Sequence, residues 1–129
     1  MKQHSVQLLV GFDNVKFGME RNEIRTLLGD PTREFKKSKF SKVTTDDYSA
    51  YHIFYDKDNR FEAVEFFEEV EIKIDNNVVF PVSLDKLKEM NYNFTSDGDG
   101  LFSVEYSIGV YAPNGNPESI LFAKKDYYQ

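Results

Sequence analysis

The sequence predicts an α+β fold: a single mixed or antiparallel β-sheet with two short helices on one face. Three observations carry this. Val70, Ile72 and Ile74 alternate strictly with Glu69, Glu71 and Lys73, the period of a half-buried strand. Ile24, Leu27 and Leu28, and again Leu84, Leu87 and Met90, recur at helical spacing. The third observation is a tandem pseudo-repeat. Phe17, Met19, Ile24 and Leu27 match Phe80, Val82, Leu87 and Met90 at an offset of 63. Tyr55, Glu62, Val64 and Phe66 match Tyr111, Glu118, Ile120 and Phe122 at an offset of 56, as do the turn formers Asn59 and Gly115. Each unit reads as an apolar lead-in, a short helix and a hairpin, the units covering about 15–74 and 78–124 of one domain, 1–129. The fall from 63 to 56 places a seven-residue shorter helix-to-hairpin connection in the second unit.

The elements follow in order. Val6, Leu8 and Val10 supply either one more strand or a single amphipathic helical turn. A helix over 20–28 has Glu20 and Glu23 in its first turn, where negative charge suits the helix dipole, and Gly29 and Pro31 to stop it. Segment 32–47 is polar and without period, and reads as a long loop. Residues 50–68 form a hairpin turned by Asp56-Lys57-Asp58-Asn59. Asp75-Asn76-Asn77 then turns strand 70–74 into Val78-Val79-Phe80. Ser83 caps the second helix, Asn91 closes it, and Asp97-Gly98-Asp99-Gly100 is a loop or hairpin turn. Strands near 101–111 and 118–124 complete the chain. Ile24, Leu27, Leu28, Leu87 and Met90 are expected to be buried over Val64, Phe66, Ile120 and Phe122.

Composition narrows the function. The chain of 129 residues has 16 Lys and Arg against 22 Asp and Glu, a net charge of −6. Segment 33–42, with Arg33, Lys36, Lys37, Lys39 and Lys42 against Glu34, carries +4, so the remainder carries −10. That balance disfavours nucleic acid, whose binding draws on basic side chains that release counterions, and favours a cationic partner. The basic segment, with Phe35 and Phe40 among its lysines, accordingly reads as a mobile surface loop. Glu62, Glu65, Glu68, Glu69 and Glu71 crowd one stretch and form either a solvated sheet face or an acidic patch for a basic partner.

Chemistry-bearing motifs are sparse. With no Cys there is no disulfide scaffold, thiolate metal site or cysteine nucleophile. His4 and His52 are the only histidines and lack metal-pair spacing. No nucleophile-elbow, Walker or dinucleotide pattern occurs, and a calcium loop centred on Gly98 fails because its twelfth position is Val104. The expectation is a non-enzymatic protein with no cofactor, no metal site and no membrane segment, in the cytoplasm.

Val15-Lys16-Phe17-Gly18-Met19-Glu20-Arg21-Asn22-Glu23-Ile24-Arg25-Thr26-Leu27-Leu28-Gly29-Asp30-Pro31 resembles the Gly-Met-x-x-x-x-[Val/Ile]-x-x-Leu-Leu-Gly-x-Pro helix signature of β-lactamase-inhibitor-like and outer-membrane-assembly lipoprotein modules. His52-Ile53-Phe54-Tyr55-Asp56 and Ala63-Val64-Glu65-Phe66-Phe67 look like the strands that follow that helix. The whole chain resembles small bacterial proteins, some of which look like immunity proteins of polymorphic-toxin and contact-dependent growth-inhibition systems. The resemblance implies an immunity protein that occludes a cognate toxin domain, for example a nuclease with a basic cleft. The alternative is a small-molecule-binding or enzymatic α+β domain. If Val64 and Phe66 face the helices, the partner-binding residues are Glu65 and Phe67, with His52 and Phe54 beside them and Asp56 and Asp58 at the neighbouring turn.

Overall fold

In the computed structural model, which describes residues 2–129, the chain forms thirteen short strands and two helices. The first half contains β1 (Lys2–Gln7), β2 (Gly11–Phe12), β3 (Val15–Lys16), α1 (Arg21–Leu28), β4 (Arg33–Phe35), β5 (Thr45–Asp47), β6 (Tyr51–Tyr55) and β7 (Phe61–Phe67). The second contains β8 (Val70–Ile74), β9 (Asn77–Phe80), α2 (Leu84–Lys88), β10 (Thr95–Asp97), β11 (Gly100–Ser103), β12 (Ile108–Tyr111) and β13 (Ser119–Ala123). The class is α+β as the sequence predicts, but the strands divide into two sheets rather than one. A mixed sheet runs β3-β2-β1-β8-β9, and an antiparallel sheet runs β10-β11-β12-β13-β7-β6-β5-β4.

Width explains the division. Eight strands about 4.8 Å apart span roughly 34 Å, whereas a helix with its side chains covers only about 10 Å. Helices of eight and five residues leave much of that apolar face open. The alternating strand β8 therefore leaves the β7 hairpin and pairs in parallel with β1, from Lys2↔Val70 to Ser5↔Lys73. Pairing makes Lys2–Gln7 a strand that includes Val6, while Leu8 and Val10 lie in the turn that follows it. Val70, Ile72 and Ile74 then close the core from the side opposite Val64 and Phe66, and all five are buried.

Both helices lie on the same face of the large sheet. Ile24 and Leu87 are fully buried in one cluster with Val64, Phe66, Ile120 and Phe122. Helix α1 begins with the Glu23 carboxylate accepting the Glu20 backbone N–H at 3.2 Å and ends at Gly29, whose φ is 86°. In α2 the Ser83 hydroxyl accepts the Lys86 N–H at 3.2 Å, and the helix closes at Glu89, before Asn91. Leu27 departs from expectation: it is 53% exposed. The stripe that meets the sheet runs through Ile24 and Leu28, and in a helix this short Leu27 turns past the edge of it.

The repeat is a helix followed by a four-stranded meander, longer than the helix-plus-hairpin expected. Strands β4 to β7 follow α1, β10 to β13 follow α2, and β7 pairs with β13 at the centre of the sheet. The segment 32–47 is correspondingly no plain loop, because β4 and β5 flank a connection over 36–44. Its counterpart between β10 and β11 is only Gly98-Asp99, so the seven residues separating the two offsets are an enlarged β4–β5 connection. One correspondence is corrected. A bulge between Phe54 and Tyr55 makes Phe54, opposite Ala63, the mate of Tyr111, which lies opposite Ser119. Tyr55 is buried instead, on the core side.

That core side of the first meander holds charge. Asp46 is fully buried and accepts from Arg25 Nε at 3.0 Å, from an Arg25 terminal nitrogen at 2.7 Å, from Arg21 at 3.2 Å and from the Tyr55 hydroxyl at 3.1 Å. Strand pairing makes Leu101 its mate in the second meander, and the helix offset makes Leu84 the mate of Arg21. One half thus closes with an ion cluster where the other closes with leucines.

Candidate functional site on the outer sheet face

Side chains alternate across a strand, so burying Ile53, Val64, Phe66, Ile108, Val110, Ile120 and Phe122 turns every intervening residue to the other face. Neither helix nor the small sheet covers that outer face. A transverse row crosses all eight strands: Arg33, Asp47, His52, Glu65, Leu121, Gly109, Phe102 and Thr95, each paired with the next.

The first half of this row is internally compensated. Arg33 Nε donates to Asp47 at 2.9 Å, and His52 Nε2 lies 3.4 Å from the same carboxylate. The His52 ring stands edge-on to Phe67 and Phe35, at centroid separations of 4.7 and 5.1 Å. Burial pushes the Asp47 carboxyl up, but the Ser49 N–H, the Arg33 hydrogen bond and the nearby His52 and Arg33 charges outweigh it and hold it below its usual range.

The second half is acidic and aromatic. Glu65 accepts from the Ser119 hydroxyl at 2.6 Å. Gly109 leaves a gap in the row, and the Tyr128 hydroxyl occupies it, with the Tyr128 ring 6.3 Å from Phe102. Burial, reinforced by the neighbouring Tyr127 and Glu65, pushes the Tyr128 phenol up to about 12. Between these groups lies a cleft of about 390 Å³ lined by Glu65, Asp97, Asp99, Phe102, Tyr111 and Tyr128. It adjoins a hollow of about 640 Å³ that shares Glu65 and Tyr111 and adds Phe67, Glu68, Glu69 and Glu118. The second transverse row, Phe67, Ser119, Tyr111, Gly100 and Asp97, joins the two. Among the described residues none of these six carboxylates has a basic side chain within 4.0 Å.

The six residues singled out in the sequence do not form one patch. His52, Phe54, Glu65 and Phe67 do share the outer face, with Val64 and Phe66 turned to the core. Phe54, however, is only 7% exposed, packed with Ala63, Ala123, Leu121 and Tyr127 and covered by Lys37 Nζ at 4.8 Å from its ring. Asp56 and Asp58 sit beyond the end of β7 opposite to Phe67. There Asp56 accepts the Asp58 and Arg60 N–H groups at 2.9 and 3.0 Å, a turn of the expected kind, and Lys124 lies 3.9 Å away. The residues that do complete the acidic end with Glu65 and Phe67 are Asp97, Asp99, Tyr111, Glu118 and Tyr128, none of which the strand pattern singles out. The one signal for them was the repeat, which makes Glu118 the mate of Glu62, and only β7–β13 pairing brings the two halves together.

Comparison with protein-family models, curated proteins and solved structures returns no match. Among the described residues no helix is long and apolar enough to cross a membrane. Among the described residues no group of three or more His, Asp or Glu is placed to hold a metal ion. His4 bonds Asp13 at 2.7 Å beneath Phe12, Tyr51 and Phe66 and is 5% exposed, on the core side. What the outer face offers is contact chemistry: carboxylates free to pair and rings to pack against.

Proposed function

We propose that the chain is a cytoplasmic immunity protein that binds and occludes a basic domain of a cognate bacterial toxin, without catalysis or cofactor. The observation that carries this reading is the set of six uncompensated carboxylates around Phe67, Tyr111 and Tyr128 on a sheet face that neither helix nor the small sheet covers. Long-range attraction to such a face accelerates encounter, and partly buried rings slow release. The net charge of −6 works in the same direction and disfavours phosphate-backbone partners.

The test is a kinetic binding series against the toxin-like product of the adjacent gene. Charge reversal at Glu65 and Glu118 slows association and flattens its salt dependence, whereas Phe67→Ala mainly accelerates dissociation. Wild-type kinetics in all three variants exclude this surface, and no binding to that product excludes the immunity reading. A second reading, a small-molecule site, is favoured by the 390 Å³ cleft, which lies within the roughly 300–1,000 Å³ range of ligand pockets. A melting temperature raised by a member of a cationic metabolite panel, and lost in Asp99→Asn, distinguishes it.

A further inference from the structure

The connection 36–44 is the other unusual surface. It carries Lys36, Lys37, Lys39 and Lys42, and Phe40 at its tip is 81% exposed, the most exposed large apolar side chain among the described residues. The turn is built. The Ser41 N–H donates to the Ser38 carbonyl at 3.1 Å, while the Ser38 and Phe40 N–H groups donate to the Ser41 and Ser38 hydroxyls at 3.2 Å. Lys37, lying over Phe54, ties it to the outer face. A structured turn that holds a phenylalanine among lysines, away from its own core, is a docking knob.

Its position is tied to that of the acidic end. The pseudo-twofold axis of the large sheet passes between β7 and β13, perpendicular to the sheet, and exchanges the two meanders. It therefore carries the β4–β5 connection onto the β10–β11 turn, Asp97-Gly98-Asp99-Gly100. The basic knob and the acidic turn thus stand on opposite sides of the centre at matched distances. Consider two copies packed outer face to outer face about a twofold axis lying between the sheets, perpendicular to the line from knob to turn. Each knob then falls on the other copy's acidic end, and both contacts form at once. Closed twofold pairs of this kind are the commonest soluble oligomers.

We propose that two copies of this chain associate through the outer faces of their large sheets, each Phe40 and its lysines seated at the cleft lined by Asp97, Asp99, Tyr111 and Tyr128 of the other. Charge argues for a second copy as the occupant: the knob segment carries +4, the rest of the chain −10, and the receiving carboxylates lack basic partners. The 390 Å³ cleft has room for a phenylalanine ring between Tyr111, Phe102 and Tyr128. The proposal stands on this geometry whether or not a toxin uses the same face, and a partner at the acidic end would compete with the second copy.

Sedimentation equilibrium on the full chain is the test. At low salt the mass rises with concentration from 15.1 kDa toward twice that value, and it returns to 15.1 kDa as salt screens the contacts. A knob-reversed variant (Lys36→Glu, Lys39→Glu, Lys42→Glu) and a socket-reversed variant (Asp97→Lys, Asp99→Lys) each stay monomeric alone. Mixed one to one they pair, since one contact is then native and the other is the same pair with its charges exchanged. Pairing in the mixture also shows that both variants fold. Phe40→Ala weakens association at least tenfold. A monomer up to about 1 mM, a dimer indifferent to both reversals, or folded variants by circular dichroism that fail to pair when mixed would each overturn the proposal.

Discussion

Glu65 and Leu121 face each other across the centre of the large sheet, and each holds in its own half the place that the other holds in the opposite half. Their offset of 56 is the repeat offset itself. The flanking pairs obey the same symmetry, because Phe66↔Ile120 and Val64↔Phe122 exchange under it. Two sequence-related meanders thus meet through their last strands and make one continuous face. The symmetry is broken where it matters: a carboxylate opposes a leucine at the axis, and a basic connection opposes an acidic turn at the periphery.

The helices provide the simplest check. Leu87→Ala removes a fully buried side chain and should lower stability by about 2–5 kcal/mol, read from urea denaturation. Leu27→Ala, at 53% exposure, should change it by no more than about 0.5 kcal/mol. A comparable loss at both positions would contradict the packing of α1.

The buried ion cluster should behave as a unit. Asp46→Leu leaves Arg21 and Arg25 against an apolar neighbour and should cost about 3–5 kcal/mol. Adding Arg21→Leu reproduces the Leu84 and Leu101 solution of the second half, while Arg25 keeps Glu34 at 2.7 Å. The double variant should recover most of that loss. Additive effects of the two substitutions would show that the cluster is not coupled.

Tyr128 reports on the gap at Gly109. In Gly109→Ala the new methyl group occupies the place of the Tyr128 hydroxyl, and the side chain swings outward. The sheet should remain folded while the Tyr128 phenol falls from about 12 toward its ordinary value of 10. Alkaline titration of ring-labelled tyrosine by NMR, assigned with Tyr128→Phe, measures this directly. An unchanged Tyr128 titration would place its hydroxyl elsewhere.

Acid should destabilise the first meander. At Asp47 burial acts upward, but the Ser49 N–H and Arg33 hold the carboxyl low; at Glu34 the hydrogen bond from Arg25, then that from Thr44, holds it low. Lowered pKa values in the fold mean that the unfolded chain takes up protons first as pH falls. The stabilisation is therefore present above the ordinary carboxylate range near pH 4 and is lost as pH drops through the folded values. The urea midpoint should be flat from about pH 5 to 7 and decline below about pH 4, and Asp47→Asn should shallow that decline. An identical acid limb in the variant would remove Asp47 from the account.

Local pattern carried much of this architecture. The alternation of Val70, Ile72 and Ile74, the Ser83 cap, the Asp56–Asn59 turn and the paired offsets are written within a few residues of one another, and each depends on backbone geometry that the local sequence sets. The phase of β7 was not among these: both sides of the strand carry aromatics, and it is the packed structure that turns Val64 and Phe66 inward with Ile120 and Phe122. The sequence by itself thus determined the class, the helices, the hairpins and the existence of two related halves.

Pairing between distant strands decided the rest. That β8 joins β1 depends on how much apolar face the helices leave open, a quantity no local window contains. That Asp97, Asp99, Tyr111 and Glu118 share a surface with Glu65 and Phe67 depends on β7 lying beside β13, whereas Asp58, far nearer in sequence, is carried to the opposite end of the strand. A one-residue shift in the β6–β7 hairpin was enough to make Phe54, rather than Tyr55, the mate of Tyr111. Cross-strand register is a cooperative property of the packed sheet, and in this protein it is register that assembles the surface.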